Sequence, residues 1–224
     1  PFASAVEQYV DRERQRQALL RAEAQQLEQQ MDEKKEELNE WQQKKDPEPK
    51  AHPATLEARQ ALCKQGAVFA PFYALVEFRE DVPEPLQQTI EATMLATGLL
   101  DSLVTAEPLT VKHDRVLRAQ PQLMAHTLAD YLQPDRAADT QVPLSEVEAV
   151  LQSIRIGHDE TSDSLLTIEE DGSYRIGLVQ GHAVPVEQVR FIGRTARIRY
   201  RETQMQNIQQ ELAALEARKQ RVEA

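Results

Sequence analysis

Apolar residues recur at alternating spacings of three and four along the first forty positions. Ala3, Val6, Val10, Glu13, Gln17, Leu20, Ala24, Leu27, Met31, Lys34, Leu38 and Trp41 form one seam, nine of the twelve apolar, and the residues between them are almost all Glu, Gln, Lys and Arg. Such a seam, sustained over about six heptads, predicts a coiled-coil helix. At 1.5 Å per residue that helix is roughly 65 Å long. The pattern returns at the other end with Ile198, Met205, Ile208, Leu212, Leu215 and Val222, where Arg201 and Lys219 fill the remaining slots. A lone helix of this kind leaves its seam in water. Each half therefore needs a partner: the other half, another molecule, or the middle of the chain. One chain supplies both seams, and antiparallel intramolecular pairing is the arrangement expected, with the intervening residues inserted at the tip of the hairpin.

Between the seams the pattern changes. KKDPEPKAHP at 44–53 places Pro47, Pro49 and Pro53 where the first helix ends; each removes a backbone donor and restricts the residue before it. The expected organisation is an N-terminal arm over 1–45, a globular domain over 46–194 and a C-terminal arm over 195–224. Within the globular part, AVFAPFYALVEF at 67–78 reads as a strand with Pro71 at an edge or bulge. EPLQQTIEATMLAT at 84–97 reads as a helix, with Leu86, Ile90 and Met94 on one face and Gly98 beyond its end. LLDSLV resumes an apolar run, residues 121–133 and 143–153 are further helices, and 164–179 form a hairpin around Asp171-Gly172, a dipeptide suited to a tight primed turn. Irregular alternation of strands and helices predicts an α+β class.

Composition sharpens the picture. The 224 residues are 41% hydrophobic and only 5% aromatic, enough for one ordinary core rather than a core along the whole chain. No apolar run approaches the roughly 20 residues of a membrane span. Glu7, Asp11 and Arg12 interrupt the start where a secretory signal needs an apolar stretch. Cys63 is the only cysteine, which fits a cytoplasmic protein. The chain starts at Pro1 and ends at Ala224 in a helical pattern, so it reads as a piece of a longer protein. Residues 1–45 carry 8 basic and 10 acidic groups, residues 46–194 carry 12 and 23, and residues 195–224 carry 6 and 4. The net charges are −2, −11 and +2, so the globular part opposes strong nonspecific DNA binding. One basic run remains, RFIGRTARIRYRE at 190–202. Its arginines, Arg194, Arg197 and Arg201 among them, suit a solvated helix start paired with nearby acids, or else a weak DNA contact, the first being favoured.

Enzymatic signatures are missing from this pattern. No Gly-rich phosphate loop occurs, and there are seven glycines in all. The histidines at 52, 113, 126, 158 and 182 have no ligand partner at helical spacing, and His158-Asp159-Glu160 reads as a solvated loop rather than a metal site. Cys63, on the helical stretch ATLEARQALCKQ, reads as a small core residue. The expectation is no active site, no cofactor and no metal in these residues.

A globular domain fed at both ends by one antiparallel coiled coil resembles the hinge of the SMC (structural maintenance of chromosomes) ATPases. GAVFAPFYALVEF (66–78), ATGLLDSLV (96–104), LADYLQP (128–134) and FIGRTARIRYRE (191–202) resemble the hinge of JetC-type subunits, the SMC-like ATPases of Wadjet anti-plasmid systems related to MukB and MksB. The likeness spans roughly residues 60–202. Few glycines and an acidic balance set this chain apart from typical hinges. The resemblance implies a hinge that homodimerises and joins two arms of a DNA loop-extruding complex, bacterial and associated with nucleoid or plasmid. ATP and Mg²⁺ would bind at heads elsewhere in the parent, and kleisin, winged-helix and nuclease subunits would be its partners. Phe72, Tyr73, Leu75, Val76, Phe78, Gly98, Leu99 and Leu100 are candidates for core or dimer surface, and Leu20, Leu27, Met31, Leu38, Trp41, Met205, Ile208, Leu212 and Leu215 for the coiled-coil seam. The rival is a tethering or adaptor domain that binds an unrelated protein.

Overall fold

The computed structural model describes residues 2–43, 46–122, 124–157 and 166–223, excluding the side chains of 2–7. The side chains at seam positions Ala3 and Val6, the His158-Asp159-Glu160 loop and the first residues of the 164–179 hairpin therefore fall outside what is described. The chain divides into two compact units, one made of Pro1–Asp46 with Arg201–Ala224, the other of Pro47–Tyr200.

The first unit is helical. Helix α1 runs over Phe2–Gln43, and helix α5, Arg194–Glu223, contributes its length from Arg201. Their register is read from three ion pairs: Lys34–Glu211 at 2.7 Å, Lys219–Glu28 at 3.3 Å and Arg218–Glu23 at 2.8 Å. The early part of α1, at Glu23 and Glu28, meets the late part of α5, and Lys34 meets the earlier Glu211, so the pairing is antiparallel. Leu27 and Ile208 are the buried seam residues, while Leu20, Met31, Leu38, Trp41, Met205, Leu212 and Leu215 are half-buried, as a two-stranded seam allows. Lys34 occupies a seam slot, and its ammonium is held well above its ordinary pKa by hydrogen bonds to Glu211 and Glu37. By this register the end of α5 lies opposite residues near 22. Val10, in the seam before that point, is 38% exposed.

The second unit mixes helices and strands. Helix α2 (Pro53–Lys64) opens on Pro53 with His52 as its cap, whose Nδ1 accepts the Ala54 N–H at 3.1 Å. Strand β1 is Ala70–Pro71, followed by a 3-10 turn at Phe72–Ala74 and strand β2, Val76–Phe78. The expected single strand over 67–78 is thus broken in the middle, because the N–H groups of Phe72 and Tyr73 turn to Ser102 and Leu100 and the chain coils there. Helix α3 (Glu84–Thr97) ends on Gly98 in the left-handed region, and strand β3 (Leu103–Val104) pairs antiparallel with β1. Among the described residues, 121–133 form no α-helix. Thr127 and Asp130 close a reciprocal capping box around a single 3-10 turn at Leu128–Asp130, and strand β4 (Leu132–Pro134) pairs with β2. Helix α4 (Leu144–Leu151) leads to strands β5 (Arg155–Ile156), β6 (Leu166–Ile168), β7 (Ser173–Ile176) and β8 (Val179–His182), a four-stranded sheet in that order. The β6–β7 tip is a three-residue connection, Glu170-Asp171-Gly172, with Gly172 at φ 96°, rather than a two-residue primed turn.

Most of this unit is one motif used twice. In each copy a 3-10 turn, a strand, a Val-Pro pair and a helix follow in order: Phe72–Ala74, β2, Val82-Pro83 and α3, then Leu128–Asp130, β4, Val142-Pro143 and α4. Phe72 N–H donates to Ser102 O as Leu128 N–H does to Ile154 O, both at 2.9 Å. The strand after each helix then meets a parallel neighbour, Leu103 with Val116 and β5 with β6. The copies lock reciprocally: Arg79 N–H donates to Tyr131 O, and Asp135 N–H to Leu75 O, at 2.9 and 2.8 Å. Phe72, Leu75, Ile90, Met94, Leu100, Leu128, Leu132, Leu151 and Ile168 fill one core between them. Each large side chain so buried contributes about 1.5–3 kcal/mol. The β7–β8 hairpin has no counterpart in the first copy.

Candidate functional site

The residues proposed for core or dimer surface lie inside the second unit. Phe72, Leu75, Val76 and Leu100 are at most 1% exposed, Tyr73 and Leu99 are also buried, and Phe78 packs half-buried against the same cluster. Gly98 caps α3, and the Arg115 guanidinium lies against its Cα face, where a Cβ would fall 1.8 Å from Nη1. Cys63 is exposed, not a core residue, because its helix α2 buries none of its side chains.

The root of α5 is built with more polar detail than its sequence suggests. Glu91, in the middle of α3, is 0% exposed. Its carboxylate accepts three consecutive main-chain N–H groups, from Arg190 at 2.7 Å, Phe191 at 3.0 Å and Ile192 at 2.9 Å. Burial pushes this carboxyl above its ordinary pKa, while the three N–H donors and the Arg190 guanidinium pull it down. Arg197, one turn into α5, is 7% exposed and donates to Phe191 O at 2.9 Å and Tyr73 O at 3.4 Å. Tyr73 and Phe191 meet edge to face with centroids 6.2 Å apart. Arg197 is therefore a structural cation turned inward, not a DNA contact, whereas Arg194 is exposed and Arg201 half-buried. A cleft of about 330 Å³ beside this root is lined by Glu77, Glu80 and Glu84 as well as Arg79, Arg194 and Arg199. Its acids and bases offset one another, so it presents no field suited to a polyanion.

A second polar staple joins distant segments. Arg59 donates to Asp114 from Nε (2.7 Å) and Nη2 (3.1 Å), and to Asp101 from Nη1 (2.9 Å) and, at its main-chain oxygen, from Nη2 (2.7 Å). The Asp114 side chain is only 4% exposed, so this fork stabilises a carboxylate that is otherwise cut off from water. Tyr131 similarly donates its hydroxyl to Glu170, tying the second copy of the motif to the β6–β7 tip.

Exposed apolar side chains gather elsewhere. Ile176, Leu178, Val179 and Val184 all sit on or beside the β7–β8 hairpin, with Leu178 104% and Val184 83% exposed. Sequence reasoning missed this cluster because the run GLVQGHAV alternates weakly and resembles a loop. It missed Glu91 because an acid within a polar helix stretch gives no sign of facing inward. Among the described residues no group of three His, Cys, Asp or Glu is placed to hold a metal, and no helix is long and apolar enough to cross a membrane.

No family model and no curated protein matches the chain. Among solved structures it is similar to the SMC hinge domain of Geobacillus stearothermophilus in an asymmetric dimer, at 12% identity over 95% of this chain and 97% of that chain, with a TM-score of 0.42. It is also similar to the Pyrococcus furiosus Smc hinge domain with an extended coiled coil, at 10% identity over 98% and 85%, with a TM-score of 0.41.

Proposed function

We propose that this chain is the hinge, with the adjoining arms, of an SMC-like ATPase of the JetC type, and that it works by joining two copies and transmitting the alignment of their arms. One observation carries the reading: a single α+β unit, Pro47–Tyr200, interrupts a coiled coil whose two halves pair antiparallel within one chain. In a chain organised in this way the α+β unit is the natural place for a second copy to bind. The segments resembling JetC hinges fall on the first strand and 3-10 turn, the α3 cap, the second 3-10 turn and the root of α5, so they span the duplicated motif and its junction with the arm. In the parent, ATP and Mg²⁺ would act at distant heads, and kleisin, winged-helix and nuclease subunits would complete a loop-extruding complex that restricts plasmids in the bacterial cytoplasm. The hinge itself would be mechanical and not catalytic.

The acidity of the globular residues, net −11 over 46–194, favours a second reading as an adaptor for a basic protein partner. Self-association separates the two. Sedimentation equilibrium of the intact chain is expected to give a dimer of 51 kDa, twice 25.5 kDa. That dimer should survive Leu27→Glu, which breaks the arm seam. A monomer at every concentration, or a dimer lost with the seam, rules out the hinge.

A further inference from the structure

We infer that β8 is the surface through which two copies of this chain pair, antiparallel and about a two-fold axis at Gly181; this rests on the hinge reading above. The four-stranded sheet has two edges, and they differ. On the β5 side Thr127 bridges Arg155 and Ile156 N–H donates to His126 O at 2.9 Å, so that edge is covered. On the other side β8 is the last strand. Its register with β7, Ile176 with Val179 and Tyr174 with Gly181, turns the main-chain groups of Gln180 and His182 outward. Neither residue's main chain has a partner on that side among the described residues. An open edge of this kind is a template for another strand, and proteins normally blunt it with charge or cover it. Here no charge blunts it: from Ile176 to Val186 the chain has no Asp, Glu, Lys or Arg. In a region of net charge −11 this edge lets two copies approach without opposing like charges along it.

The pattern along the edge is self-complementary, which selects a second copy as the occupant. Leu178, in the hairpin turn just before β8, and Val184, two residues past its end, stand three residues to either side of Gly181, so pairing about Gly181 would extend the ladder to both. In an antiparallel pair centred on Gly181, Leu178 of one copy lies opposite Val184 of the other, and the two most exposed aliphatic side chains of the hairpin cover each other twice. Gln180 lies opposite His182, so the outward N–H and C=O groups form matched pairs. Gly181 faces its own counterpart at a non-hydrogen-bonded position, where the Cα atoms come within about 4.5 Å and side chains crowd most. A side chain there is already excluded on its own side, since a Cβ at Gly181 falls 2.4 Å from the Tyr174 ring. Pro185 has no N–H to donate and closes the register just beyond Val184. The remaining exposed apolar residues, such as Leu56, Leu95 and Met124, lie on separate segments and form no such matched row.

The test uses the intact chain and two double variants at exposed positions, with far-UV circular dichroism to verify the fold. Leu178→Lys with Val184→Lys sets like charges opposite each other at both contacts and should weaken the dimer by about tenfold or more. Leu178→Lys with Val184→Glu sets opposite charges in the same places and should recover most of that loss. If the wild type is dimeric and both variants dimerise equally well, or both equally poorly, the β8 register is wrong while the hinge reading stands. A monomeric wild type overturns the hinge reading and this inference with it.

Discussion

Glu91→Ala tests whether the root of α5 is held as described. The substitution removes the only side-chain acceptor seen for the N–H groups of Arg190, Phe191 and Ile192 and leaves them in a buried setting. Each orphaned buried donor costs about 1–3 kcal/mol, so the gross loss is roughly 3–9 kcal/mol. Against it stands relief from desolvating a buried carboxyl, an effective several kcal/mol when ionised. The net expected is a loss of about 3 kcal/mol. For a unit of 154 residues, Pro47 to Tyr200, a loss of that size lowers Tm by roughly 6–12 °C. The assay is thermal unfolding followed by near-UV circular dichroism of the tyrosines, four of whose five members (Tyr73, Tyr131, Tyr174 and Tyr200) lie in this unit, while the single tryptophan, Trp41, reports the helical unit separately. Glu84→Ala, at the exposed first turn of the same helix, serves as the control and should lower Tm far less, since it gives up only the favourable charge at the helix N-terminus. A shift below about 2 °C for Glu91→Ala would refute the claim that this carboxylate fixes the 190–192 segment.

Three further outcomes follow from packing and geometry. Arg59→Lys should lose about 2–3 kcal/mol in urea unfolding, because an ammonium cannot reproduce the fork to Asp101 and Asp114; unfolding at the wild-type urea midpoint would show the fork to be incidental. Gly98→Ala should cost about 1–2 kcal/mol in the same assay, since φ of 73° disfavours any side chain and Arg115 must move aside; an unchanged midpoint would mean the α3 cap relaxes freely. Leu27→Ala, at a seam residue 2% exposed, should destabilise the paired helices by about 2–4 kcal/mol, read as an earlier thermal transition in Trp41 fluorescence with the tyrosine signal unmoved. A Trp41 transition that stays in place would indicate that the seam at Leu27 is not packed.

The sequence was most legible where one local rule governs. Helix α3 begins and ends at Glu84 and Thr97 as its spacing and Gly98 predict, and α4 lies within the expected 143–153. The long seams were also readable, because every third or fourth residue repeats the same evidence. The strand expected over 67–78 failed in its middle: apolar and β-branched residues mark burial, and Phe72, Tyr73 and Leu75 are buried around a 3-10 turn instead. The helix expected over 121–133 failed for a related reason, since Thr127 and Asp130 satisfy each other locally before a helix can propagate. The duplicated motif left one trace, the paired Val82-Pro83 and Val142-Pro143, which is too short to stand out. Glu91 and Arg197 look like surface charges because their partners are main-chain groups, and main-chain groups have no letter in the sequence.

The duplicated motif carries a constraint of its own. Its two copies meet where β2 crosses β4, and the central pair of that ladder is Glu77 opposite Gln133. A residue at such a centre meets its own equivalent from the other copy, so perfect repetition is forbidden there to any charged side chain: two glutamates would repel and two lysines likewise. The chain resolves this with a near-isosteric mismatch, the Gln133 amide donating to the Glu77 carboxylate at 2.8 Å. One half of the repeat keeps the charge and the other supplies the donor. Divergence between the halves is therefore a requirement of their packing at this point, and Gln133→Glu, the change that would make them alike, sets two carboxylates against each other.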